Sequence, residues 1–182
     1  MKKTFLTIII GLTTLNLFST QPPVNFVYEE VVEIPNVSKD DLYQRATSCM
    51  VSMFNDSKQV VKIQDKEAGK IVAKGFIDGT YRQLSTTIEH GFEFELAIYV
   101  KEGRYKYIVS NISHIGCTNP RFTYPKAGGL LSNGEPDCGY GMSKMMKRDW
   151  KKYKEFAHAE VEKIVSIVKI QMNKQSETEA DW

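Results

Sequence analysis

The stretch Thr87–Val100, TIEHGFEFELAIYV, constrains this chain more than any other. Ile88, Phe92, Phe94, Leu96, Ile98 and Val100 fall on one face, and Glu89, Glu93, Glu95 and Tyr99 on the other. A period of two with one apolar face is a strand buried on one side only. KEGR follows, with Gly103 suited to a tight hairpin turn, and Arg104–Ile115 returns as a partner strand. Setting Lys101 opposite Arg104 places Val100 against Tyr105, Ile98 against Tyr107 and Leu96 against Val109, all good same-face pairs. That face turns polar near Asn111, where a bulge is expected to shift the register.

The flanking sequence supplies more strands and the layer that must cover them. Phe26–Ile34 is β-rich and stops at Pro35. Gln59–Gln64 and Lys70–Ile77 form a second hairpin around DKEAG, with Val61, Ile63, Ile71 and Ala73 expected on the core face. DGTYRQLS then links onward to the central strand and is expected to be partly extended. Ser38 is an N-cap, with Asp40 and Asp41 in the first turn of a helix expected over 39–54. Leu42, Ala46, Cys49, Met50 and Met53 recur along it at helical spacing. Met146, Trp150, Tyr153, Ala157, Val161, Ile164 and Val168 mark a long amphipathic helix over 143–172. The order β-α-β-β-β-β-α, joined by hairpins, is an α+β two-layer fold: an antiparallel sheet with two helices on one face. It forms one domain over 26–172, with a long loop at 116–142 and a polar tail over 173–182.

Residues 1–20 have the pattern of an export signal: Lys2 and Lys3, an apolar run from Phe5, then small residues before Gln21. The run is too short and too interrupted for a membrane span, so the mature form is expected without an integral membrane segment, periplasmic or secreted. Residues 21–25 are a short extended leader. The chain has 24 Lys+Arg and 22 Asp+Glu, and loss of Lys2 and Lys3 leaves 22 against 22. A neutral exported chain lacks the basic footprint of a nucleic-acid binder. Three cysteines remain. Cys117 and Cys138 bracket the irregular loop and are read as a disulfide, whereas Cys49 lies on an apolar helix stripe as a core residue.

A loop of this length in a small domain is a staple, a binding element or both. Arg121, Phe122 and Tyr124 offer it charge and stacking surface, and Tyr99 and Lys106 offer the same on the sheet. These five are the candidate contacts for an envelope protein, a glycan or a small molecule. His114 with Cys117 and Cys138 makes only an incomplete ligand set, so no metal or other cofactor is expected. Glu93 and Glu95 stand at a carboxylate spacing that glycosidases use, but alternating glutamates are the usual dress of a solvated sheet face. No convergent acid, base or nucleophile is visible, so no catalytic residue is assigned.

VVEIPNVSKDDLYQRA, VVKIQDKEAGKIVAKG and FELAIYVKEGRYKYIVSNISH together resemble a family of secreted bacterial proteins, a domain of unknown function with a TBP-like fold. The similarity covers roughly residues 28–115, and the DKEAGKIVAKG hairpin is its most specific piece. The resemblance implies the same β-α-β4-α order and brings no catalytic residues. The cysteine-bracketed loop lies outside its pattern. TBP-style DNA bending is not implied, since this chain has one copy of the domain, no net charge after processing and glutamates on its polar face. The expectation is a non-enzymatic binding or accessory module of the cell envelope. A metal-dependent or Cys/His hydrolase centred on residues 114–138 is the rival, and a structural subunit of an envelope complex the third reading.

Overall fold

The structure, a computed structural model, describes residues 23–54, 60–83, 86–116, 127–136 and 143–174. Its elements are β1 (Tyr28–Glu33), α1 (Lys39–Met53), β2 (Val60–Asp65), β3 (Lys70–Gln83), β4 (Thr86–Lys101), β5 (Arg104–Gly116), β6 (Gly129–Leu130) and α2 (Ser143–Asn173). The strands form one antiparallel sheet ordered β1-β5-β4-β3-β2, and β6 adds to the far half of β5. Both helices lie on the face that carries the apolar side chains, α1 against β3, β4 and β5, and α2 against α1, β3 and β5.

The central hairpin has the register expected from alternation. Lys101 pairs with Arg104, Val100 with Tyr105, Ile98 with Tyr107 and Leu96 with Val109. The register shifts where Glu93 and Glu95 face Ser113 and Ser110, and Asn111 takes a left-handed φ of 53° there. Beyond that bulge the inward residues of β5 change from odd to even, so Ile112, His114 and Gly116 are buried.

Three expectations need correcting. β3 runs on to Gln83, pairing Asp78–Gln83 with Thr86–Gly91, so most of the presumed linker is strand. Ile63 does not face the core: a bulge between Val61 and Ile63 turns it outward, and it is 42% exposed. The 116–142 loop is interrupted by β6, which pairs Leu130 with Ser113 and Gly129 with His114. Residues 24–26 run antiparallel to 131–133, just past β6, with the Phe26 N–H donating to Leu131 O at 3.0 Å.

One end of the sheet is clasped by short turns. Ser38 caps α1, its Oγ accepting from the Asp41 N–H at 3.1 Å. The Lys39 N–H donates to Glu102 Oε2 at 2.9 Å, and Lys39 Nζ to Glu67 O at 2.6 Å. Thus both hairpin turns hold the start of the helix. Gly69, at φ +65°, accepts from the Val100 N–H at 2.8 Å, and a Cβ there would lie 2.5 Å from Val100 O. Only glycine fits that position without moving backbone. Arg45 joins the helices: it grips Asp41 at 2.7 and 3.1 Å and donates to Met172 O at 3.1 Å, near the end of α2. Cys49 is fully buried beside Met53, and burial pushes its thiol up to about 12.

Candidate binding surface

The sheet face turned away from the helices carries no described element. Glu29, Ile108, Ala97, Val72 and Ile63 are successive cross-strand partners along it, from β1 to β2. Four of these five are apolar. Val72 and Ala97 sink beneath the longer side chains of the neighbouring rows, at 4% and 7% exposure. Val31, Ile115 and Leu130 are exposed on the same face.

The row beside this stripe holds two of the residues singled out in the sequence. Val31, Lys106, Tyr99, Lys70 and Asp65 are successive partners, so Tyr99 and Lys106 stand side by side. The Lys70 ammonium lies 5.5 Å from the centre of the Tyr99 ring, a cation–π contact. Lys106 meets Glu29 at 2.9 Å, and Arg104 meets Glu33 at 3.8 Å. Across the stripe, Lys62 meets Glu95 at 3.3 Å and Lys74 meets Glu93 at 2.7 Å. Each of the two glutamates therefore faces a lysine rather than its fellow carboxylate. This is a charge-paired border, not a general acid beside a base. The surface is an apolar stripe framed by matched charges, with one aromatic ring at its edge. Such a frame excludes partners of strong single charge and suits a surface that is itself partly apolar.

Arg121, Phe122, Tyr124, Cys117 and Cys138 lie outside the described residues, as does the disulfide read for the two cysteines. The structure therefore brings together Tyr99 and Lys106 of the proposed contacts. Lys70, Ile108 and Val72 complete that patch and were missed by the sequence reading. Their signal was the cross-strand register, available once Tyr99 was set opposite Lys106.

His114 sits at the other end of the sheet, inside the protein. Its ring is fully buried, stacked on Tyr153 at 4.6 Å and 6.0 Å from the ring of His90. Phe92, Trp150 and Phe156 complete an aromatic cluster around the two histidines. The Gly128 N–H donates to His114 Nδ1 at 3.0 Å, which places the ring proton of the neutral form on Nε2. Burial drives His90 down to about 4 and, with a smaller push from His90, His114 down to about 3. A ring so enclosed is poorly placed to meet a substrate or to attract a metal. Among the described residues no group of three His, Cys, Asp or Glu side chains is arranged to hold a metal ion. The cluster was missed because a histidine in a strand is usually read as polar. Its signal was parity, since His90 shares its face with Phe92 and Phe94.

A polar seam closes the β1 edge against α2. Tyr107 donates to Glu30 Oε2 at 2.8 Å, and Lys169 meets the same oxygen at 2.6 Å. These two hydrogen bonds, Lys169 foremost, hold the Glu30 carboxyl below its usual range. No helix among the described residues is long and apolar enough to cross a membrane.

Residues 28–114 match a family model described as a domain of unknown function (DUF4468) with TBP-like fold. The fold is shared with a TBP-like protein from Parabacteroides distasonis, at a TM-score of 0.63 and 16% identity over 84% of this chain and 95% of that one. A DUF4468 family protein from Bacteroides ovatus aligns at a TM-score of 0.57 and 11% identity, over 85% of this chain and 90% of that one. At such identities the likeness carries the fold alone. No curated protein matches the sequence. The resemblance seen in the three motifs is thus matched: residues 28–114 fit the DUF4468 model, and the chain has a TBP-like fold.

Proposed function

We propose that this chain is an exported, non-enzymatic binding module of the bacterial cell envelope, and that it binds through the open face of its sheet. The observation that carries this reading is the open sheet face, where Ile63 and Ile108 flank the sunken Val72 and Ala97 beside the Tyr99–Lys106 pair and no described element lies over them. Uncovered apolar rows framed by polar residues are characteristic of protein contact sites. The export step rests on residues 1–20, and an envelope protein with its own apolar strip is the partner class that fits best.

Photocrosslinking in the producing cell tests the proposal. A photoreactive residue at Ile108 is expected to capture a discrete partner band. One at Val51, exposed on α1, is expected to capture none. Equal labelling from the two positions, or none from Ile108, refutes the sheet face as the binding surface. Recovery of the chain in the cytoplasmic fraction refutes the envelope role.

A further inference from the structure

Three pieces of the molecule meet at the His114 ring. The first is β5 itself. The second is the segment 127–136, whose Gly128 N–H donates both to His114 O at 3.1 Å and to His114 Nδ1 at 3.0 Å. That segment stays on the sheet through the β6 pairing and through the Leu131 N–H, which donates to Ile112 O at 2.8 Å. The third piece is the early part of α2. Tyr153 stacks on the ring, Trp150 meets it edge-on at 6.1 Å, and Trp150 Nε1 donates to Gly134 O at 3.2 Å. A Cβ at Gly128 would lie 2.6 Å from the Trp150 ring and 3.2 Å from His114 Nδ1, so the segment is pressed into the angle between them.

We infer that His114 is an acid-operated latch: a proton on Nδ1 sets donor against donor at Gly128 and releases residues 127–136, with the Trp150–Tyr153 turn of α2, from the sheet. No covalent bond changes, and the proton comes from solvent. The groups facing the ring are His90 from β4, Tyr153 from α2 and the Gly128 peptide from the 127–136 segment. Asp149, buried one residue before Trp150, is already engaged by Arg148 at 3.0 Å and Lys152 at 3.9 Å. His90, 6.0 Å away on β4, sets the closed form further against a charged His114, because a charge on either imidazole opposes a charge on the other. The His114 ring is held neutral by burial when closed and regains a pKa near 6.5 when the segment opens. Opening therefore takes up protons and is favoured as pH falls below about 6.5. His114 alone raises the opening constant about tenfold for each pH unit from there down to its closed value.

Amide hydrogen exchange on the full chain at pH 7 and pH 5, corrected for intrinsic rates, tests this. Residues 127–136 and 150–157 are expected to open about 30-fold more at pH 5, the factor for one and a half units below 6.5. The amides of 94–109 are expected to keep their protection. His114→Asn keeps an acceptor near the Nδ1 position without titrating, and it should remove most of the pH dependence. An unchanged pH profile in that variant, or opening of 94–109 in step with 127–136, overturns the latch. If His114→Asn does not fold, imidazole NMR on the wild-type chain decides. A His114 ring that stays neutral at pH 5 in the closed form supports the latch. One that titrates near 6.5 while 127–136 stays protected overturns it.

Discussion

The two ends of the sheet are closed by different chemistry. At the turn end, the 66–69 and 101–104 turns and the start of α1 are tied by short backbone and charge-assisted hydrogen bonds around Gly69, Gly103 and Lys39. At the far end, the 127–136 segment and α2 are held by packed aromatic rings around two buried histidines. The first set rests largely on backbone amides and carbonyls. The second uses neutral imidazoles in an apolar setting. One protein thus combines a fixed end with an end whose stability depends on proton concentration, and the difference lies in side-chain type rather than in topology.

Acid is the largest lever on that contrast. His90 is held at about 4 and His114 at about 3, against an ordinary 6.5. The unfolded chain binds protons that the folded chain refuses, so this stability is complete above pH 6.5 and drains away as pH falls toward 4. The loss over that window should be about 5 kcal/mol, a large share of a small domain's total. Urea titrations at pH 7 and pH 4.5 measure it, and a loss below 1 kcal/mol would place the rings in contact with water. Gly69→Ala attacks the fixed end. A left-handed residue whose Cβ meets backbone should cost about 3 kcal/mol, read as a lower urea midpoint at pH 7. The cost should be the same at pH 5, and a pH-dependent cost would mean that the two ends are coupled. Arg45→Ala removes the tie between α1 and the end of α2 and should cost about 2 kcal/mol. No change in thermal midpoint would show that the tie is incidental. The smallest effect is a gain. Asn111→Gly relaxes a left-handed residue at the bulge and should add about 0.5 kcal/mol, whereas Asn111→Val should lower the midpoint.

The fixed end was legible in the sequence because its signals are local. Alternation over 92–100 dictated the register with 104–109, Ser38 announced the cap, and Gly69 and Gly103 marked the turns. The far end was legible only in part: the break in alternation near Asn111 announced a bulge, but not which residues it would bury. One extra residue near Asn111 reverses which side of β5 is buried, so the face of His114 follows only from the position of the bulge. The bulge at Val61 and Ile63 hides Ile63's outward turn in the same way. β6 is two residues long and exists through its pairing with β5, not through a pattern of its own. The sheet-face patch was half legible: Tyr99 and Lys106 stood out as exposed types. The apolar stripe beside them is drawn from four strands and appears only when those strands are laid side by side.

β1 has one further consequence, and it concerns time. Its partner is β5, so Tyr28 waits for Val109 and Glu33 for Arg104, although β3, β4 and β5 zip through neighbouring turns. Contacts that distant along the chain form late, because a long loop must be closed before they contribute. On this topology the first strand synthesised is expected to be the last to dock, and until it docks the β5 edge stands open.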